Sequence, residues 1–255
     1  MSNPRRFYLP LEILDCIVDL LHDKPETLKQ CCLVSKSWVP RTRKHLFACI
    51  KFSTERDLEA WKKTFPDPAS SPAYHTRTLS IRCIHVVTAA DAEEGGWIQA
   101  FSHVVQLEVW GGYSNPDGSE VSLVPFHNFS PALKSLRVVS IATSHSQMFN
   151  LVCSLPLLED LYVMDYRRDR KDRDGTVFQP SNSPALIGTL GLYLTQGMEH
   201  VTRRLLGLPN GLRFRKLVWT LFREEDIPRT VALVVGCHDT LEYVDINCCL
   251  RSMFL

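Results

Sequence analysis

The sequence predicts a mixed α/β protein in which three short helices precede a series of strand–helix units. Apolar residues recur at helical spacing within residues 1–52. A short apolar pattern then recurs eight times, and several of the segments between its copies carry helix-start signals. We therefore expect two domains, residues 1–52 and residues 53–255.

The composition is typical of a globular protein. Of its 255 residues, 45% are hydrophobic and 22% are charged, which is enough apolar material for a core. The 29 basic residues nearly balance the 28 acidic ones, whereas a protein that coats nucleic acid or an anionic membrane is normally far more basic. No apolar run reaches the roughly 20 residues of a membrane helix, and the first residues lack the apolar block of a signal peptide. We expect a protein of the cytoplasm, the nucleus or both, without nucleic-acid or membrane partners.

The nine cysteines indicate a reducing compartment, because their number is odd and several lie in apolar or helical patterns. A zinc site is the alternative, and it would need cysteine pairs separated by two to four residues. The sequence offers only the adjacent pairs Cys31-Cys32 and Cys248-Cys249, whose side chains diverge on a helix or strand. We therefore expect core-filling thiols and no metal.

Three helices are predicted in the first domain. Pro10 suits the first turn of the first helix, behind which apolar residues recur at helical spacing: Ile13, Leu14, Ile17, Val18 and Leu21. Residues 23–26 end that helix and start a second. Ser35 is expected to cap a third helix that runs to Phe47, with Pro40 as an early-turn proline or a kink.

These helices carry more apolar surface than three short helices can bury among themselves. The residues concerned are Leu9, Ile13, Leu14, Ile17, Leu20, Leu21, Val34 and Trp38. Either the rest of the chain or another protein must cover them.

The order of these residues resembles the F-box motif. The matching pattern is Leu9-Pro10-x-Glu12-Ile13-Leu14-x-x-Ile17, then Leu28-x-x-Cys31-x-Leu33-Val34-Ser35-Lys36-x-Trp38, then Leu46-Phe47-x-x-Ile50. It covers about a fifth of the chain, and its spelling is most similar to F-box proteins of mushroom-forming fungi. F-box proteins are substrate receptors of cullin–RING ubiquitin ligases, and the motif docks on a Skp-family adaptor.

The resemblance implies that a Skp-family adaptor covers the apolar face. By matching motif positions, the expected adaptor-binding residues are Leu9, Pro10, Ile13, Leu14, Ile17, Val34 and Trp38. The alternative is a helical cap that the following domain covers.

The pattern apolar-x-x-apolar-x-apolar recurs through the rest of the chain. Its copies end at positions 25 to 29 residues apart, namely Phe52, Ile81, Val109, Val138, Val163, Leu192, Trp219 and Ile246. This spacing lies within the range of about 20–29 residues typical of leucine-rich repeats. Helical segments are expected between the copies at residues 55–65, 91–103, 146–155, 198–208 and 225–237.

The pattern resembles the irregular leucine-rich repeats that follow many F-boxes. It implies an irregular leucine-rich-repeat-like βα solenoid after the three-helix F-box. At the position where regular repeats carry Asn or Cys, only Cys249 fits, so regular curvature is not expected. A βα sheet protein with unremarkable spacing is the alternative.

Signatures of catalysis are missing from the sequence, including the nucleotide-binding glycine motifs, H-E-x-x-H and G-x-S-x-G. The best candidates for a catalytic thiol, Cys153 and Cys237, lie in apolar helical contexts typical of inert buried cysteines. The run from Arg167 to Asp174 alternates in charge, which favours a solvated loop. We expect a non-catalytic protein without a cofactor.

One face of the predicted strands is the candidate binding surface. The two flanking apolar residues of each strand face the core, so alternate positions point the other way. Those positions include Glu108, Trp110, Arg137, Tyr162, Met164, Tyr193 and Asp245. Aromatic residues, Met and Arg are enriched at protein interfaces. These residues either contact a protein substrate or pack on each other across neighbouring strands.

The resemblance therefore implies the substrate-recognition subunit of a Skp–cullin–F-box ubiquitin ligase. Its helices would bind the adaptor and its repeats a protein substrate, so that proximity drives ubiquitin transfer without chemistry by this chain. Two alternatives remain open, an adaptor-bound scaffold outside a ligase and a self-contained repeat-type protein-binding module.

Overall fold

A computed structural model describes residues 10–82, 84, 87–93, 96–111, 121–127, 129–165, 167–168, 184–193, 198–221 and 224–248. Within these residues the chain forms seven α-helices, an eight-stranded parallel sheet and a separate pair of short strands. The predicted α/β class is confirmed.

The first described segment contains three helices, as the sequence predicts: α1 (Leu11–Asp19), α2 (Pro25–Val34) and α3 (Val39–Leu46). Pro25 and Pro40 lie in first turns, where a missing N–H costs no helical hydrogen bond. The prediction that Ser35 caps α3 is wrong. Trp38 holds the cap position, whereas the Ser35 hydroxyl accepts a hydrogen bond from the Ser37 amide at 3.3 Å in the preceding turn.

Ten strands follow α3 in the described chain. They are β1 (Cys49–Phe52), β2 (Thr78–Ile81), β3 (Gln106–Trp110), β4 (Ser135–Val139), β5 (Ala142–Thr143), β6 (Asp160–Met164), β7 (Arg167–Arg168), β8 (Thr189–Tyr193), β9 (Lys216–Leu221) and β10 (Tyr243–Cys248). The large sheet has the order β1-β2-β3-β4-β6-β8-β9-β10, while β5 pairs with β7. All eight predicted copies of the apolar pattern end within strands of the large sheet, in the order in which they occur along the chain.

Four α-helices connect strands of the sheet: α4 (Glu55–Thr64), α5 (His145–Cys153), α6 (Met198–Leu206) and α7 (Ile227–Gly236). All four fall within about two residues of their predicted positions. A capping box starts α4, because Thr54 Oγ1 accepts from the Asp57 amide while Asp57 Oδ2 accepts from the Thr54 amide at 2.9 Å.

Residues 91–103 do not form the predicted α-helix. The chain instead makes two 3₁₀ helices there, Ala89–Ala92 and Trp97–Phe101. Between them the backbone turns so tightly that a Cβ on Gly96 would lie 2.3 Å from the Asp91 carbonyl oxygen, and this close approach interrupts the helix. The other 3₁₀ helices are Pro68–Ser70, Pro72–His75, Val124–Phe126 and Glu224–Asp226.

The core lies against one face of the large sheet. One row of register-matched leucines crosses it from β2 to β9, each nearly inaccessible to solvent: Leu79, Leu107, Leu136, Leu161, Leu190 and Leu217. Buried residues of the connecting helices, such as Leu58, Met148 and Leu233, belong to the same core. The row weakens at β10, where Val244 is 41% exposed and Ile246 is 40% exposed.

The helices α1–α3 adjoin the sheet through α3. Phe47, directly after α3, packs edge-on against Trp61 and Phe65, at 6.2 Å and 6.4 Å between ring centroids. The Thr76 hydroxyl donates a hydrogen bond to the Phe47 carbonyl at 3.0 Å. These contacts anchor the end of α3 to the sheet. The helix α1 takes no part in them.

Candidate functional site

The first candidate surface is formed by apolar residues at the N-terminal helices. Only Val18 of α1 is buried. Ile13, Ile17 and Leu20 follow the i, i+4, i+7 spacing of one helix side, and they are 48%, 38% and 78% exposed. We call these three residues the α1 stripe. Leu14 and Leu21 are half-buried and lie on the same side of α1 as Val18. The helix α1 therefore carries apolar residues both on the side that packs against the protein and on the side that faces solvent.

The end of α2 is a second exposed apolar element, since Leu33 is 87% exposed and Val34 is 69% exposed. Large apolar side chains that are exposed next to one another, unlike singly exposed ones, are typical of an interaction surface. Within the described residues, neither the sheet nor its connecting helices cover them. The expectation of a cap covered by the following domain is therefore not met for these side chains.

The predicted adaptor-binding residues divide into three groups. Pro10, Ile13, Ile17 and Val34 are exposed, Leu14 and Trp38 are half-buried, and Leu9 lies outside the described residues. Leu20 was expected to need covering and Leu33 belongs to the motif, but neither was included among the adaptor-binding residues, although they are the two most exposed large apolar residues of the described chain. The signal for Leu20 was its position seven residues after Ile13, on the same helix side.

Asp19 fixes α1 against α3. The Arg41 guanidinium donates two hydrogen bonds to the Asp19 carboxylate, one of them from Nε to Oδ1 at 2.6 Å, and His45 Nε2 lies 2.7 Å from the same Oδ1. Hydrogen bonds from Arg41 and from His45 hold the pKa of Asp19 well below its usual range. Since Arg41 and His45 are one turn apart, they clamp the end of α1 and keep the α1 stripe directed away from α3.

The second candidate surface lies on the face of the sheet opposite the core. All seven residues predicted for this surface lie in strands of the large sheet, on the face opposite the core. We call them the sheet strip: Glu108, Trp110, Arg137, Tyr162, Met164, Tyr193 and Asp245. The strand register places Glu108, Arg137, Tyr162 and Gly191 side by side in one row. The structure thus brings together residues that are far apart in sequence.

Tyrosine rings form the centre of the sheet strip. A Cβ on Gly191 would lie 2.4 Å from Tyr162 Cδ1 and 2.9 Å from Tyr193 Cε2, so both rings lean over the bare glycine backbone. The Arg137 guanidinium lies 4.6 Å from the centroid of the Tyr162 ring and remains exposed. The cross-strand packing interpretation therefore holds for the tyrosines, while Arg137 faces solvent.

Two members of this surface were missed by the sequence reasoning. The Arg82 guanidinium lies 4.7 Å from the centroid of the Trp110 ring, although Arg82 follows the end of β2. Gly191 carried a signal, because it is a glycine between two core leucines of a predicted strand, which suggests a close approach of another group. Burial raises the pKa of Tyr193, with Tyr162 and Asp245 adding to the shift and Arg137 opposing it.

The cysteines considered as nucleophiles are buried. Burial raises the pKa of the Cys153 thiol to about 11, and burial likewise raises the pKa of Cys237. Both thiols are protonated at neutral pH, which makes them weak nucleophiles. Cys31 is buried beside the half-buried Cys32, and in the described parts of the chain no three His, Cys, Asp or Glu side chains form a cluster that could hold a metal ion.

Most of the charged run from Arg167 to Asp174 lies outside the described residues. Only the backbone of its first two residues is described, and it forms β7. Among the helices that are described, none is both long and apolar enough to cross a membrane.

Comparison of the chain with protein-family models, with curated proteins and with solved structures gave no match.

Proposed function

We propose that this chain is an F-box-type substrate receptor of a Skp–cullin–RING ubiquitin ligase. The observation that carries the proposal is the exposed α1 stripe, together with Leu33 and Val34 at the end of α2. These apolar side chains lie within the segment whose residue order resembles the F-box motif. A partner that buries them gains about 25 cal/mol for each Å² of apolar surface removed from water.

The partner that the resemblance implies is a Skp-family adaptor. An interface of standard size buries about 800 Å² on each partner, which a face made of two short helices can supply. The clamp of Asp19 by Arg41 and His45 supports this role, because it holds α1 in one orientation before the partner arrives.

The rest of the chain is proposed to be an irregular leucine-rich-repeat-like solenoid that holds a protein substrate. A parallel sheet built in chain order, with one strand every 25 to 29 residues, supports this assignment. The sheet strip then contacts the substrate, and the adaptor brings cullin and a ubiquitin-carrying enzyme close to it. The chain acts by proximity in the cytoplasm or nucleus and performs no bond chemistry itself.

The test is co-expression of the full chain with a Skp-family adaptor, followed by size-exclusion chromatography. We expect a one-to-one complex that Ile17→Asp disrupts. Ile187→Asp is the matched control, because Ile187 is also an isoleucine and is 39% exposed compared with 38% for Ile17, but lies two residues before β8. Failure of the unmodified chain to bind the adaptor, or equal behaviour of the two variants, would overturn the proposal.

A cullin included in the same experiment separates the ligase from a scaffold. A substrate receptor enters a complex that contains adaptor and cullin together. An adaptor-bound scaffold outside a ligase would instead exclude the cullin, and that result would contradict the ligase part of the proposal.

A further inference from the structure

The sheet strip contains Arg137, and Arg82 lies beside it on Trp110; neither arginine has an acidic partner among the described residues. For Arg82 and Arg137, no carboxylate of the described chain lies within 4.0 Å of the guanidinium, and both side chains are exposed. Several other cations of the described chain are paired, as in Lys62–Asp91 at 2.6 Å, Lys134–Glu159 at 2.7 Å and Arg229–Asp226 at 2.8 Å. What sets Arg82 and Arg137 apart is that both lie on the same face of the sheet and each stacks on an aromatic ring there.

The acidic residue beside Arg137 in the strand register makes no ion pair with it. Glu108 lies beside Arg137 in the strand register, yet Glu108 Oε2 accepts a hydrogen bond from the Ser80 hydroxyl at 2.9 Å. Arg137 is thus left with its guanidinium N–H groups available, because stacking on a ring uses the face of the guanidinium and leaves its edge open.

Stacking also fixes where these donors lie. Arg137 rests on Tyr162, which in turn leans over Gly191 beside Tyr193, and Arg82 rests on Trp110. A long side chain that is held in this way loses little conformational freedom when it binds an anion. Two preorganised donors of this kind are suited to bidentate contact with carboxylates.

The spacing of the two arginines matches an extended peptide. Arg82 and Arg137 lie on either side of β3, so they are two strands apart, which is about 9.6 Å. In the strand register Arg82 lies level with Trp110, and Arg137 lies level with Glu108. The two arginines are therefore also offset by two residues along the strand direction, which is about 7 Å. The combined separation is about 12 Å, close to the roughly 13 Å between residues i and i+4 of an extended chain.

We propose that the sheet strip binds an extended acidic segment of the substrate, with carboxylates four residues apart that pair with Arg137 and Arg82. This inference rests on the proposed function, because it names the class of substrate that the receptor takes.

The test measures fluorescence anisotropy of labelled nine-residue peptides with the full chain, alone and in its adaptor complex. One peptide carries Glu at its third and seventh positions among Ser and Val, a second carries Gln there, and a third carries phosphoserine. We expect the Glu peptide to bind about tenfold more tightly than the Gln peptide, which two exposed charge-assisted pairs of about threefold each provide together. Equal binding of Glu and Gln peptides would overturn the inference, and so would binding of the phosphoserine peptide alone.

The variants localise the effect. Arg137→Gln and, independently, Arg82→Gln are each expected to reduce the preference for Glu over Gln by about threefold, so that the two pairs together account for the tenfold preference. Arg56→Gln is the matched control, because Arg56 is an exposed arginine on α4, a helix that packs on the core face. A preference that survives both strip variants would contradict the assignment.

The adaptor assay separates this inference from the proposed function. Arg137→Gln is expected to retain adaptor binding, while Ile17→Asp is expected to retain peptide binding. If the unmodified chain forms the adaptor complex but shows no preference for the Glu peptide, the peptide inference alone is overturned, whereas failure of the unmodified chain to bind the adaptor overturns the proposed function.

Discussion

Asp19 at the end of α1 pairs with Arg41 of α3, which lies 22 residues later in the chain. A carboxylate at a helix C-terminus is unfavourable for that helix, because the negative end of the helix dipole lies there. Asp19 therefore contributes through the pairing between helices and not through the stability of α1. This pairing, together with the packing of the buried Val18, orients the α1 stripe.

Replacement of Asp19 by Asn should loosen α1 and weaken adaptor binding, with a loss of about 1 kcal/mol or less in unfolding stability, since the pair is partly exposed. A double-mutant cycle with Arg41→Gln, measured by urea unfolding, gives the coupling between the two residues. The single variants should lose more in sum than the double variant loses. Additive losses would show that the pair contributes nothing.

The stability of the α1–α3 junction should fall in acid. The pKa of Asp19 in the folded chain lies below its ordinary value of 3.8, so the unfolded chain binds more protons between these two pKa values. The stabilisation from Asp19 is therefore complete above pH 3.8 and is lost as the pH falls through the folded pKa. Urea unfolding from about pH 6 to pH 2 should show a smaller acid-dependent loss for Asp19→Asn than for the unmodified chain. Parallel curves would contradict this cause.

A methyl group on Gly191 should disturb the sheet strip. In Gly191→Ala the new Cβ would meet the Tyr162 ring at 2.4 Å, so that ring must move, at a cost of about 1–3 kcal/mol. Gly207→Ala is the control, because its Cβ would have no neighbour nearer than 3.4 Å. Thermal unfolding should distinguish the two variants, and equal midpoints would show that Tyr162 adjusts freely.

The valines of the sheet should differ in importance between its centre and its last strand. Val163 on β6 is fully buried, so Val163→Ala should cost about 2 kcal/mol, whereas Val244→Ala on β10 should cost much less because Val244 is 41% exposed. Chemical denaturation of both variants tests this difference. A large loss for Val244→Ala would mean that another group covers β10 in solution.

Thiol labelling should map the adaptor contact. Cys16 on α1 and Cys49 on β1 are exposed, while Cys153 is buried with its pKa raised to about 11. In the free chain, iodoacetamide at neutral pH should modify Cys16 and Cys49 faster than Cys153. Binding of the adaptor should protect Cys16 and leave Cys49 reactive, as measured by peptide mass spectrometry. Protection of Cys49 alone would place the adaptor elsewhere.

The strands and most helices were predictable because their signals are local. The pattern that ends at Val109 or Leu192 needs only alternation along one strand, and α5 to α7 follow from helical spacing. The 3₁₀ turns around Gly96 depend on a close approach between backbone segments, which spacing does not reveal. Likewise, nothing in the sequence near Arg82 indicates that its guanidinium lies on Trp110, because that contact exists only once β2 and β3 are paired.

The order of the large sheet has a consequence for how the protein is made. Each strand pairs only with its neighbours in this order, and paired residues are at most 29 positions apart in the chain. A growing chain that emerges from the ribosome can therefore add each strand to those already in place, without waiting for its C-terminus. The loop that closes at each step is short, so the entropic cost is nearly the same from β1 to β10.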